Sequence, residues 1–172
     1  MPFLTDDVSV AIDPTGTYRL TAPLVYKGRD DTFTVPTGTA TDLASVPRCL
    51  TWLVPIAGVH DRAAIVHDYL CRELAEFHRD ESMWMPNDVT AVDTDGIFRR
   101  ILRELGVPLV RRWLMWTGVR LGALANPARR PGWIKTAPAV IGISLLALPL
   151  ILPATVAVLA VLAVDRIVEK VR

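Results

Sequence analysis

His67, Asp68 and Asp95 are the residues whose types and spacing could do chemistry, because periodicity puts them on or beside the apolar faces of two predicted helices. An ionisable side chain is costly to bury unless it is paired. An inward-facing His67 and an inward-facing Asp95 are therefore expected to contact each other. Such a pair has the composition of a general base, the imidazole, and a carboxylate that orients it.

The helical phase of two segments supports this placement. In the first segment the stripe comprises His60, Ala63, Ala64, His67, Leu70, Cys71 and Leu74. In the second segment the stripe comprises Asp95, Phe98, Ile101, Leu102 and Leu105. A different interpretation of Asp95 stays open: with Asp93 or Thr94 as the N-cap, Asp95 would be a first-turn carboxylate favoured by the helix dipole.

The residues before these helices have the composition of β-strands. Three segments rich in β-branched and aromatic residues, Val8–Ile12, Tyr18–Tyr26 and Thr32–Val35, are separated by the turn signals DPTG and KGRDD. The TDLASVPR segment that follows is expected to be an ordered loop. The predicted fold class is α+β, with a small N-terminal antiparallel meander, a three-helix bundle and a C-terminal apolar helix.

The C-terminal part of the chain is strongly apolar. No charged residue occurs from Thr136 to Val164, and this stretch could cross a hydrocarbon layer of about 30 Å as a helix. Pro149 and Pro153 would kink such a helix, but the pieces on either side are shorter than the roughly 17 residues that a span needs. One kinked membrane helix is therefore expected rather than a hairpin. The alternative is an apolar helix buried inside a protein assembly.

The chain divides into four parts on this basis: a globular domain over 1–124, a basic linker over 125–135, the apolar segment over 136–164 and a charged tail over 165–172. Lysine and arginine are equally frequent at both ends of the apolar segment, so the positive-inside rule does not orient it. The basic residues before the segment are expected to face anionic lipid or, in part, to form a solvated helix face. They are Arg111, Arg112, Arg120, Arg129, Arg130 and Lys135.

The overall composition limits which binding partners and which cellular compartment are expected for this protein. A net charge of +1 gives no reason to expect a nucleic-acid partner. The N-terminal MPFLTDDVSV carries acidic residues and no apolar core, so no cleavable secretion signal is expected. Cys49 and Cys71 are expected to be reduced and buried.

Several ordered motifs resemble those of a known protein family. TVPTGTATDLASVPR, HDYLC, DTDGIF and WLMWTGVRLGA together resemble an uncharacterised family found mostly in phages and prophages, whose hallmark is TDxASVP followed by HDxLY. The resemblance covers residues 3 to 124, with Cys71 where that family usually has tyrosine. It implies a virion component, a minor tail or tail-tip protein within an oligomeric assembly. Other tail proteins and host membrane lipid would be its partners.

The spacing of His67, Asp68 and Asp95 also resembles that of secreted calcium-dependent phospholipases. That resemblance implies His67 as the base that activates water, Asp68 as a calcium ligand and Asp95 as the residue that orients the imidazole. Asp42 could supply a further oxygen to calcium. The Gly-rich, Cys-bearing loop of those enzymes is missing, because PTGTATDLASVPR offers only Gly38. The second functional hypothesis is therefore a membrane-attached, calcium-dependent lipid hydrolase that acts during entry or lysis.

Overall fold

In the described part of the chain, five short strands precede four α-helices. The computed structural model describes residues 3–4, 8–28, 31–41, 43, 46, 50–55, 57–80 and 89–171. The strands are β1 (Val10–Ile12), β2 (Tyr18–Leu20), β3 (Leu24–Lys27), β4 (Thr32–Val35) and β5 (Ala40–Thr41). The helices are α1 (Asp61–Phe77), α2 (Ala91–Glu104), α3 (Leu109–Gly122) and α4 (Trp133–Val171). This order confirms the predicted α+β class.

The strands form two small antiparallel sheets instead of one meander. One sheet has the order β1-β2-β5, and the other is the β3-β4 hairpin. The predicted strand Tyr18–Tyr26 is therefore split in two. Pro23 precedes β3 and has no N–H to continue a hydrogen-bonded ladder, which accounts for the break. The prediction also missed β5, which pairs with β2 through Tyr18 and Thr41.

The hairpin supplies the β side of the core. Leu24 and Tyr26 on β3, and Phe33 and Val35 on β4, alternate with exposed or half-buried residues and are themselves buried. Both strands pack against α1. The Tyr26 hydroxyl donates a hydrogen bond of 2.9 Å to Glu104 Oε2, which ties the hairpin to the end of α2.

Helix α2 begins with a capping box. Thr90 Oγ1 accepts from the Asp93 backbone N–H, and the Asp93 side chain accepts from the Thr90 N–H. The expectation that Asp93 or Thr94 is the N-cap is therefore wrong, because the N-cap is Thr90, whose side chain accepts a hydrogen bond from a backbone N–H of the first turn. Asp95 consequently lies beyond the first residues of the helix and turns inward with no exposed surface. Its interpretation as a first-turn carboxylate is also wrong.

Helix α4 is a single helix of 39 residues that contains Pro138, Pro149 and Pro153. At about 1.5 Å per residue it is about 58 Å long. It begins at Trp133, inside the predicted basic linker, and includes Asp165, Arg166, Glu169 and Lys170, which follow the apolar segment. Its first turns pack against α3, where Val140 is buried. Its most apolar stretch is not buried against the rest of the described chain, and by length and composition it could cross a membrane.

Candidate functional site

The site centres on a contact between α1 and α2. His67 Nε2 donates a hydrogen bond of 2.7 Å to Asp95 Oδ1. The side chains are 7% and 0% exposed. Phe98, one turn after Asp95 on α2, packs against the imidazole ring, with 4.9 Å between the ring centroids. The predicted pairing of His67 with Asp95 is confirmed, and its proposed catalytic role stays a prediction.

Two arginines complete the surroundings of Asp95. Arg120 Nη1 on α3 donates to Asp95 Oδ2 over 2.8 Å, and Arg129 Nη2 donates to Oδ1 over 2.7 Å. Arg120 is fully buried, and the Arg129 side chain is 12% exposed. Their interpretation as part of a surface cluster facing lipid or solvent is therefore wrong. The helical periodicity of α3 was one signal for the burial of Arg120, because this residue lies one turn after Trp116, which is buried.

The start of α4 holds Arg120 in place. Arg120 Nε donates to Thr136 Oγ1 over 3.0 Å, and Trp133 Nε1 donates to the Arg120 carbonyl oxygen over 2.8 Å. Two residues of the first turns of α4 thus contact the arginine that binds Asp95. The ion-pair network connects the His67 site to the beginning of the apolar helix.

A short 3-10 turn, Pro127–Arg129, presents the second arginine. Asn126 Oδ1 accepts from the Ala128 N–H over 3.0 Å and caps this turn. Arg129 Nη2 also donates to the Val119 carbonyl oxygen over 3.1 Å. The segment predicted as a linker is therefore ordered and contributes a side chain to the site.

The ion pairs determine which nitrogen of His67 carries the proton. Burial alone would raise the pKa of Asp95, but its hydrogen bond and charge interaction with His67, together with Arg129 and Arg120, hold that pKa below its usual range. An ionised carboxylate only accepts hydrogen bonds, so His67 Nε2 carries the proton. Nδ1 of the neutral ring is then the proton acceptor.

His67 itself is held in its neutral form. Burial lowers the pKa of His67, Asp95 opposes this effect, and the Arg129 charge adds to it. Arg129 Nη2 lies 3.3 Å from His67 Nε2, close enough to disfavour a second positive charge. A neutral imidazole with an oriented tautomer can accept a proton from water.

A cleft of about 420 Å³ opens beside His67. Asp68 is fixed at its edge, because Asp68 Oδ2 accepts from Thr41 Oγ1 over 3.1 Å and that hydroxyl accepts from the Leu43 N–H over 3.0 Å. The cleft thus brings together residues of α1, the β1-β2-β5 sheet and the turn before α4. Its described lining residues are Thr17, Thr41, His67, Asp68, Cys71, Arg72, Ala75, Asn126 and Arg129.

Cys71 lies in this cleft but lacks the features of a nucleophile. Its Sγ is 3.6 Å from His67 Nε2 and 3.9 Å from Nδ1, so the sulfur lies at similar distances from both nitrogens and does not pair closely with either. Burial raises the pKa of the thiol to about 12. Cys71 is a free thiol that is half-buried and not fully buried as predicted, and Cys49 lies outside the described residues.

The described residues of the cleft do not fit calcium. Asp68 is the one carboxylate among the described lining residues, and Arg72 and Arg129 line the same space. Calcium takes about six to eight oxygen ligands, which several carboxylates and carbonyl groups usually supply together. No group of three His, Cys, Asp or Glu side chains suited to a metal occurs in the described ranges. Asp42, the other predicted ligand, lies outside them.

The chain matches one family of proteins. The profile of a family described as protein of unknown function (DUF1353) matches residues 18–119, from β2 into α3, including His67 and Asp95. Arg120 and Arg129 follow the end of the match. No curated protein and no solved structure matches the chain. Because the match covers more than half of its residues, the protein belongs to the DUF1353 family.

Proposed function

We propose that this protein is a membrane-attached component of a phage virion, a minor tail or tail-tip protein whose α4 enters the host membrane or packs against neighbouring subunits. The observation that carries membrane attachment is the apolar, unburied stretch of α4, which is long enough to cross a bilayer. An exposed apolar surface of this length is costly in water. The phage assignment rests on the resemblance of the TDLASVP and HDYLC motifs.

Helix α3 supports an interface with lipid next to α4. Val110, Leu114, Gly118 and Leu121 follow helical spacing along one side of α3. Val110 is 70% exposed, Leu121 is also exposed, and Leu114 is half-buried. Since α3 packs against the first turns of α4, the apolar surfaces of the two helices are neighbours. A membrane around the start of α4 would cover both.

Membrane insertion can be tested with one charge placed in two positions. Leu150→Arg introduces a charge in the middle of the apolar segment, whereas Val168→Arg introduces the same charge in the charged tail that follows it. We expect wild type and Val168→Arg to resist alkaline extraction from vesicles and Leu150→Arg to be released. Equal retention of the two variants would contradict insertion.

The virion assignment has a separate test. Particles purified from an induced lysogen that carries the gene should contain the chain, detected by mass spectrometry at a fixed ratio to a tail protein. If the chain remains in host membranes and is missing from the particles, the virion assignment is wrong, and membrane attachment is unaffected.

We propose lipid ester hydrolysis as a second candidate function, because the 2.7 Å contact of His67 with Asp95 favours it. The chemistry requires a neutral imidazole next to an open cleft. His67 Nδ1 would take a proton from a water molecule, the water oxygen would attack the ester carbonyl, and the imidazolium would return the proton to the leaving alcohol. Asp95 would hold the ring and stabilise the imidazolium.

Fatty-acid release from phospholipid micelles tests the second candidate. His67→Ala should abolish release, whereas His78→Ala, an exposed histidine at the end of α1, should leave it unchanged. Parallel assays with calcium and with a chelator would test the calcium prediction directly. Release that His67→Ala leaves intact would rule out His67 as the base.

A further inference from the structure

We propose that the cleft beside His67 binds a phosphoryl group, held by Arg129 and Arg72. This inference rests on the proposed hydrolytic site for the position of the ligand and names its chemical class. The ligand would be a phosphate monoester or diester, either a soluble compound or a phospholipid headgroup. Both sources share the chemistry of a tetrahedral anion with several acceptor oxygens.

The charge balance of the described residues favours an anion. Asp95 is one carboxylate between two guanidinium groups, Arg120 and Arg129, while its third partner, His67, is neutral. The buried network thus has an excess of one positive charge. Arg72, on the cleft wall, adds a second cation, and the Asp68 carboxylate opposes it while accepting a hydrogen bond from Thr41.

Arg129 has donors left for a ligand. Its hydrogen bonds to described residues, with Asp95 Oδ1 and with the Val119 carbonyl oxygen, both come from Nη2. Nε is buried without a partner in the described part of the chain, and Nη1 makes no hydrogen bond there. A buried donor without a partner costs free energy, so the guanidinium would gain from a small shift that brings it to an acceptor such as an anion in the cleft. Arginine also presents its donors in a planar fork that matches two oxygens of one phosphate.

Other lining groups fit the same ligand. The Asn126 side-chain carbonyl caps the 3-10 turn, so the Asn126 amide N–H₂ is the part that can donate to an oxygen in the cleft. His67 Nδ1 is an acceptor and can take the proton of a phosphate monoester or of a bound water. The cleft of about 420 Å³ is larger than one phosphate ion, which leaves space for the esterified group.

Binding of inorganic phosphate to the full chain in neutral detergent micelles tests the site, with chloride as the comparison anion. Calorimetry should detect phosphate binding by wild type that weakens about tenfold in Arg72→Gln and in Arg129→Gln. Arg79→Gln, also on the surface after α1, is the matched control and should bind like wild type. Arg72 is exposed, so Arg72→Gln keeps the test valid if Arg129→Gln unfolds.

Nanodiscs distinguish the two sources of the phosphoryl group. If the ligand is a monoester headgroup, phosphatidic acid in phosphatidylcholine nanodiscs should compete with inorganic phosphate, and phosphatidylcholine nanodiscs with a matched amount of anionic fatty acid in its place should not. If it is a diester headgroup, both kinds of nanodisc should compete, because phosphatidylcholine is itself a phosphodiester. If neither competes while phosphate binds, the ligand is a soluble phosphate ester.

The outcomes separate this inference from hydrolysis. Absence of phosphate binding, or binding that neither arginine substitution weakens, would overturn the phosphoryl site. Phosphate binding without fatty-acid release would support the site and remove the ester hydrolase. Fatty-acid release that depends on His67, without any phosphate binding, would support the ester hydrolase and overturn the phosphoryl site.

Discussion

At the residue scale, Asp95 is the key group because its charge is fully buried. Three donors, from His67, Arg120 and Arg129, contact its two oxygens within 2.8 Å. Their combined interaction offsets the cost of removing the carboxylate from water. Each partner comes from a different segment of the chain, so one carboxylate joins α1, α3 and the turn before α4 to α2.

We expect Asp95→Asn to lower the free energy of unfolding by about 3–5 kcal/mol, because the substitution leaves Arg120 and Arg129 buried without a counter-charge. Denaturant unfolding in detergent measures this loss. Asp93→Asn, on the exposed start of the same helix, removes a charge from the capping box and should cost about 1 kcal/mol. Similar losses for the two variants would contradict a structural role for the network.

The lowered pKa of His67 predicts a pH dependence of stability. The unfolded chain binds a proton near the ordinary histidine value of 6.5, and the folded chain binds it only at lower pH. Stability should therefore fall as pH decreases below about 6.5, until the folded pKa is passed. Melting temperatures at pH 7.5 and 5.5 measure this. His67→Gln should show a smaller decrease than wild type, and an identical decrease would exclude His67 as the source.

At the element scale, the turn into α4 depends on a glycine. Gly132 has a φ of +72°, in the left-handed region, directly before Trp133 begins the helix. A Cβ at this position would lie 2.5 Å from Val92 Cγ2 on α2. The close approach of α2 and the positive φ both require a residue without a side chain.

Gly132→Ala is expected to destabilise the protein by about 1–3 kcal/mol, through the left-handed backbone and the contact with Val92. Gly142→Ala is the control, because this helical glycine has open space at its Cβ position. That control should be neutral or slightly stabilising, since alanine favours a helix. Unfolding midpoints of both variants decide the matter, and equal midpoints would show that the turn tolerates a side chain.

At the scale of the whole molecule, the domain lies at one end of a helix about 58 Å long. The α3 surface and the start of α4 are the parts of the domain nearest the apolar stretch. Exposed apolar residues there include Leu109, Val110, Leu121, Leu124 and Ile134. A bilayer that receives α4 would therefore also contact the domain along α3.

The double variant Val110→Glu with Leu121→Glu should weaken retention of the protein on neutral vesicles, because two charges would enter the lipid interface. Flotation with vesicles measures the bound fraction. Ile12→Glu places a charge at an equally exposed apolar residue on β1 and should have no effect. A loss as large with Ile12→Glu would mean that the α3 surface has no special contact with lipid.

Periodicity alone determined that His67 and Asp95 face inward, because helical phase is a local property and both stripes lie within a few turns of chain. The apolar segment of α4 could also be predicted from the sequence, since the length of the segment and its lack of charged residues identify it. The break at Pro23 and the short β5 were missed, because a two-residue strand is stabilised by its neighbours and hardly by its own composition.

Only the tertiary structure decided what surrounds Asp95. Arg120 and Arg129 are 25 and 34 residues away from it in sequence, and an isolated arginine is normally expected at the surface. Their burial became favourable when the packing of α3 and of the turn before α4 brought a buried carboxylate within hydrogen-bond distance. The sequence thus specified the histidine and the aspartate of the site. The fold supplied the two arginines, because charge pairing across distant segments follows from packing and not from local pattern.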